Sequence, residues 1–248
     1  RYDEVRGKKF SAAKPFIVMG VLGVFLLAQP DLGSTVVLFV ITFGMLFIVG
    51  ANFWQFILLI GTGILLFVWL VLSASYRLKR FTGFLEPFKD PYGTGFQLTN
   101  SLMAFGRGEI SGEGLGNSIQ KLDYLPEAHT DFIMAIIGEE FGFIGILVVV
   151  ILLGLLIFRA MKIGRESLML EQRFRGFFAL GISFWIFFQG FVNLGMALGM
   201  LPTKGLTFPL VSYGGSSIII MSATVGILLR IDHENRLQRG GQARLRDD

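Results

Sequence analysis

Residues 132–158 read FIMAIIGEEFGFIGILVVVILLGLLIF, a run of 27 in which Glu139 and Glu140 are the only charges. A helix crossing the hydrocarbon core of a bilayer needs about 20 mainly apolar residues, and this run supplies them. Five further stretches read the same way: 15–29, 34–51, 54–75, 176–200 and 208–229. The composition agrees. Of 248 residues 53% are hydrophobic and 16% charged, with a mean hydropathy of +0.65, whereas a soluble domain carries roughly a quarter of its residues charged. These values argue against a cytosolic enzyme. They point to an all-α, polytopic membrane protein of about six spans, a single membrane domain over 1–248. The chain has no cysteine, which removes disulfide frameworks, thiolate metal sites and cysteine nucleophiles together.

The first stretch follows Arg6, Lys8, Lys9 and Lys14, so a signal sequence is its one rival reading, disfavoured by the span that comes immediately after it. Arg1 stands where Met would begin a complete chain, and a cut or processed end is expected there. Between the third and fourth spans lies a polar loop, 76–131, rich in glycine and turn residues. Cations in short flanking segments set membrane orientation. Fifteen of the 22 lysines and arginines fall in 1–14, 159–175 and 230–248, which places both ends on the cytoplasmic side and the 76–131 loop outside. The net charge of +4 is thus a topology signal, with a weak attraction to anionic lipid head groups and no call for nucleic acid as a partner. The tail from 232 is polar and expected to be mobile.

Ionisable groups inside hydrocarbon are expensive and therefore functional candidates. Asp31, in Gln29-Pro30-Asp31, sits at the break between the first two spans, where a turn cap and a cavity-lining role are equally good readings. Glu139 and Glu140 lie within an apolar span, flanked by Gly138, Gly142 and Gly145, which allow close helix approach; a structural role and a catalytic one stand equal. The segment Leu125-Pro126-Glu127-Ala128-His129-Thr130-Asp131-Phe132 carries the densest chemistry, at the outer mouth of the fourth span. From spacing alone, Thr130 or Asp131 as a simple helix cap is the favoured reading. The second dense segment runs from Gly199 to Ser217. There Lys204 is either an interfacial lysine or the holder of an anionic head group, and Pro209 and Gly214-Gly215 interrupt the span. Broken helices of this kind commonly line substrate sites.

At these residues the chain resembles the SEDS family of polytopic peptidoglycan polymerases. The resemblance runs from Asn193 through Gly199-Met200-Leu201-Pro202, Gly205-Leu206 and Leu210-Val211 to Ser212-Tyr213-Gly214-Gly215-Ser216-Ser217. It extends to Gln29-Pro30-Asp31-Leu32-Gly33, Gly95-Phe96-Gln97-Leu98 and Leu125 to Phe132. Pro202-Thr203-Lys204-Gly205-Leu206-Thr207, with Glu127-Ala128-His129, is closest to the cell-division branch of Gram-negative bacteria. Members typically have ten spans, so the six here would be the last six.

The resemblance implies an inverting glycosyl transfer, from an undecaprenyl-pyrophosphate donor to the GlcNAc 4-hydroxyl of lipid II, at the septum of the cytoplasmic (inner) membrane. It marks Asp131 as the catalytic aspartate, reversing the capping reading, either as general base or as ligand of a divalent cation (Mg or Mn). Lys204 and Arg107 are the candidates for the pyrophosphate, while His129, Thr130, Glu127 and Ser212 would orient the sugars or Asp131. Gln29, Asp31, Glu139 and Glu140 remain structural or cavity-lining candidates. The resemblance implies no nucleotide, because the donor's leaving group is the lipid pyrophosphate, and consistently neither a P-loop nor a dinucleotide fingerprint is present. The implied partners are lipid II, a class B penicillin-binding protein, other division proteins and membrane lipids. A lipid II flippase and a non-catalytic division scaffold are the competing readings.

Overall fold

The computed structural model describes residues 13–29, 32–50, 53–72, 83–203 and 205–247. Regular structure among them is helical, without strands: α1 (Ala13–Ala28), α2 (Leu32–Val49), α3 (Phe53–Leu72), a 3-10 turn (Pro87–Lys89), α4 (Phe96–Gly108), a π turn (Gln120–Tyr124), α5 (Ile133–Met169), α6 (Arg173–Ala197) and α7 (Gly215–Asp247). Among the described residues three helices are long and apolar enough to cross a membrane: α5, α6 and α7 over Gly215–Gly240. Large apolar side chains stand exposed along them, among them Leu147, Ile151, Leu155 and Phe158 on one face of α5. That is the surface a lipid-facing helix presents, because lipid tails satisfy it as well as protein does.

The chain divides into two compact units. The first holds 1–58, 154–188 and 218–248. In it α2 meets α6 through missing side chains: a Cβ on Gly44 would strike the Phe184 ring, and one on Gly181 would lie 3.0 Å from the sulfur of Met45. α5 and α6 form a hairpin in which Gly164 faces Gly176. The polar stretch from 232, expected as a mobile tail, instead continues α7. Its Asn235 is fully buried and donates to the Ile163 carbonyl (3.2 Å) and to Ser167 Oγ (2.9 Å). Around it Arg175 pairs with Glu234 at 2.6 Å, Arg236 with Asp232 at 2.7 Å and Arg239 with Glu166 at 3.3 Å. A helix that satisfies its buried polar groups and charges in this way has no reason to fray.

The second unit holds 59–153 and 189–217. The expected 76–131 loop contains α4, an amphipathic helix. The Asp90 carboxylate accepts from the Thr94 amide at 2.9 Å and the Asp90 carbonyl from the Gly95 amide at 3.1 Å, which closes the turn that leads into the helix. Leu98, Ser101, Ala104 and Gly108 are buried, and Ser101 Oγ donates to the Ala197 carbonyl at 2.8 Å. The core is built mainly of small residues, Ala104, Ala128, Ala135 and Ala197, with Leu125, Phe132 and Ile136 filling between. Small side chains let α4, α5 and the end of α6 approach closely.

α5 is not continuous. Gly142 has φ 65° and ψ −162°, a conformation that only glycine adopts cheaply. The amides and carbonyls released by the break are taken up by residues 109–114. Phe143 N–H donates to Glu109 O (2.9 Å) and Ile144 N–H to Ile110 O (3.2 Å), while Glu139 O and Glu140 O accept from the amides of Glu113 and Gly114, both at 2.9 Å. The loop therefore replaces one turn of helix. α7 begins at Gly215, whereas the expected span began at 208; residues 208–214 form a turn in which Leu210 has φ 63° and Ser212 N–H donates to Phe208 O at 3.1 Å. The left-handed backbone alone makes Gly142→Ala cost about 1–2 kcal/mol, and the new methyl would also meet Ile110 O. A lowered melting temperature in detergent, with Gly154→Ala in open space as the near-neutral control, is the expected outcome.

Candidate functional site

Glu139 is fully buried. Its carboxylate accepts from Ser118 Oγ at 2.5 Å, from the amides of Ile119 (3.1 Å) and Gln120 (3.2 Å) and from Arg107 Nη1 at 3.2 Å. Four donors on one carboxylate is what a charge needs when water is absent. Arg107 is shared with Glu113, its Nε lying 3.6 Å from that carboxylate. Next door, Lys121 Nζ reaches Glu140 at 2.5 Å. The pair, for which a structural and a catalytic or cavity-lining role were equally expected, thus pins the 113–121 segment to α5. Arg107, expected at the pyrophosphate, is engaged by two carboxylates here.

From this anchor the chain runs through the π turn to Glu127, whose φ is 57°. The Glu127 carbonyl accepts from the amides of Thr130, Asp131 and Phe132 at 3.1–3.2 Å. Thr130 Oγ1 donates to Glu127 Oε2 at 2.7 Å, so these two expected site residues are tied to each other. His129 is exposed, and its carbonyl accepts from Tyr213 N–H at 2.9 Å. The two segments singled out in the sequence, 125–132 and 199–217, are therefore in direct contact.

Asp131 stands just before α5. Its carboxylate is half-buried, and among the described residues no hydrogen bond or ion pair reaches it. Burial, and then the charge of Glu127, push its pKa from 3.8 up to about 6. Its backbone carbonyl is held by Asn193 Nδ2 at 2.8 Å, and the same amide donates to Leu206 O. Four residues earlier on α6, Gln189 Nε2 donates to Thr207 O at 2.9 Å, and Thr207 Oγ1 lies 3.1 Å from Ser217 Oγ. Gly205 faces the carboxylate: an ideal Cβ there would sit 3.3 Å from Asp131 Oδ2.

Ser212, expected toward the sugars, is instead turned inward. It is 2% exposed and its oxygen accepts from Phe208 N–H at 2.6 Å, because the turn that replaces helix at 208–212 needs an acceptor for that amide. Gln29 is exposed, and its amide donates to Leu26 O at 3.1 Å, closing α1. Asp31 and Lys204 lie outside the described residues. Asn193 and Gln189 were not among the expected site residues; two side-chain amides four apart in an apolar span were the signal that would have found them.

A family profile described as "Cell cycle protein", for FtsW, RodA and SpoVE, matches residues 1–237. The chain belongs to this family. Relatives named probable peptidoglycan glycosyltransferase FtsW include those of Pasteurella multocida (83% identical) and Haemophilus influenzae (87%), each over all 248 residues of this chain and 63% of the relative. The Escherichia coli relative of that name is 58% identical over 96% of this chain and 57% of its own length. The chain thus spans less than two thirds of the length of these relatives. Among solved structures, a chain of a peptidoglycan synthase complex that coordinates polymerization and crosslinking superposes with a TM-score of 0.73. It is 29% identical over 92% of this chain and 63% of that one. The rod shape determining protein RodA of Thermus thermophilus gives 0.60 at 27% identity, over 92% and 58%. The motifs that carried the resemblance lie within the stretch matched by the FtsW/RodA/SpoVE profile, and the relatives from Pasteurella, Haemophilus and Escherichia bear the name FtsW.

The Glu139 cluster carries a test of its own. Removing one partner of a buried, hydrogen-bonded charge costs about 3–5 kcal/mol, so Glu139→Ala, which strands two amides and leaves Arg107 only Glu113, is expected to lower the melting temperature sharply. Lys89→Ala, which breaks the exposed Lys89–Glu86 pair, is expected to leave the melting temperature nearly unchanged.

Proposed function

We propose that the protein is a peptidoglycan glycosyltransferase that polymerises lipid II, with Asp131 as the general base. The observation that carries this reading is a half-buried carboxylate to which no hydrogen bond is made among the described residues, with a pKa pushed up to about 6, whose backbone carbonyl is held from α6. A general base works best with a pKa close to the working pH. In the proposed step the acceptor 4-hydroxyl gives its proton to Asp131 as its oxygen attacks the anomeric carbon. The bond to the undecaprenyl pyrophosphate breaks on the opposite face, the leaving group departs with the electron pair, and the α-linkage of the donor becomes β.

The departing pyrophosphate needs positive charge nearby. With Arg107 committed to Glu139, Lys204 is assigned that task. One or two carboxylates plus substrate phosphates make the usual magnesium donor set, which Asp131 and Glu127 would suit. Such an ion, when bound, would offset the pyrophosphate charge, and the proton transfer assigned to Asp131 does not depend on it. The multi-pass chain is assigned to the cytoplasmic membrane at the division septum, with both ends cytoplasmic. Its partner is assigned as a class B penicillin-binding protein, a reading supported by the likeness to a complex that couples polymerization to crosslinking.

The test uses the full-length protein with its crosslinking partner and purified lipid II in detergent. Asp131→Asn in a folded protein is expected to abolish glycan polymer. Undiminished polymer, or passage of labelled lipid II across vesicles with no polymer from the wild type, would overturn the reading. The pH dependence follows from the raised pKa: the base is active when ionised, so the rate rises with pH through about 6 and then levels. Glu127→Gln removes the neighbouring negative charge and is expected to move that acid limb to lower pH.

A further inference from the structure

The side-chain amide of Asn193 has two N–H donors, and they are spent on two backbone carbonyls from different parts of the chain, those of Asp131 (2.8 Å) and Leu206. The residue is fully buried, while its Oδ1 has no partner among the described residues. A buried amide whose oxygen goes unsatisfied carries a cost, and nothing in helix geometry requires an amide at this place in an apolar helix. What the side chain accomplishes is a fixed separation between two strips of backbone. One carries the Asp131 carboxylate. The other is the Gly205–Leu206 segment, where Gly205 faces Asp131 Oδ2 with a hydrogen in place of a side chain. Gln189, one turn earlier on the same helix, holds the next residue, Thr207, through its carbonyl (2.9 Å) and hydroxyl (3.3 Å). The 205–207 segment is therefore suspended from α6 by two amides in succession.

We propose that Asn193 is a positioning residue: its amide sets the gap between the Asp131 carboxylate and the Gly205–Leu206 backbone, and Gly205 keeps that gap open for the acceptor hydroxyl. This rests on the reading of Asp131 as the base. The chemistry needs an NH2 group at position 193, because only two donors on one nitrogen can bridge two carbonyls. A carboxylate would set acceptor against acceptor, and an alkyl group would leave both carbonyls unpaired. Fixing the Asp131 carbonyl fixes its peptide plane and so the direction in which its carboxylate points. A shift of about 1 Å in a reacting group costs on the order of 100-fold in rate. The role is confined to alignment, so binding of lipid II through its distant parts stays intact.

The experiment measures kcat and KM for lipid II across pH, with the full-length protein and its crosslinking partner, for Asn193→Ala, Asn193→Gln, Gly205→Ala and Asp131→Asn, each with a melting curve. Asn193→Ala is expected to lower kcat on the order of 100-fold with KM little changed. Asn193→Gln, which keeps the NH2 donors, recovers part of the loss. Gly205→Ala places a methyl against Oδ2, fills the gap and is expected to lower kcat. Wild-type kcat in Asn193→Ala, or equal losses in the Ala and Gln variants with correct melting, overturns the proposal. If Asn193→Ala does not fold, Gly205→Ala decides: an undiminished kcat in a folded variant counts against the gap. Polymer from Asp131→Asn would overturn the base reading instead, so the two failures are told apart.

Discussion

A backbone amide or carbonyl left without a partner in hydrocarbon costs several kcal/mol, and the break in α5 at Gly142 is arranged around that fact. Residues 109–114 supply the missing partners on both sides of the break, and they do so only because glycine at 142 accepts a left-handed φ. Everything outward of the break inherits its position from this exchange. Once residues 109–114 are locked against α5, Arg107 and Ser118 are within reach of Glu139, and the segment leading to Asp131 is anchored at its near end.

The far end is anchored by α6. Asn193 and Gln189 take carbonyls from the segments before α5 and before α7, and Tyr213 N–H closes onto His129 O. The charged groups divide accordingly. Glu139, Glu140, Arg107 and Lys121 pair with one another and serve as structure, whereas the Asp131 carboxylate meets no donor among the described residues and is half-buried beside Glu127. The two carboxylates thus stand in contrasting surroundings: four donors converge on Glu139, while burial and the charge of Glu127 raise the pKa of Asp131.

Much of this was legible in the sequence where the signal is local. The apolar runs mark where the helices lie, and Pro209 with Gly214-Gly215 marks the irregular backbone before α7. The loaded segments 125–132 and 199–217 were recognisable by composition, and they do meet. What was not legible depends on residues distant in sequence. Gly142 sits among Gly138 and Gly145 and reads equally well as a helix-packing glycine; its φ is decided by residues 109–114. Arg107 looked free because Glu139 is 32 positions away. Ser212 reads as a polar side chain near a site, yet its oxygen is consumed by the amide of Phe208 four residues earlier. Asn193 and Gln189 carried a local signal, but the charged residues drew the reading away from them.

The central claim is that Asp131 is a reactive carboxyl held near neutrality by its surroundings. Infrared spectroscopy of the full-length protein in detergent reads this directly, following against pH the carbonyl band of the protonated carboxyl that disappears in Asp131→Asn. A midpoint near 6 is the expected result, and a midpoint in the ordinary carboxylate range, at about 4, would contradict it.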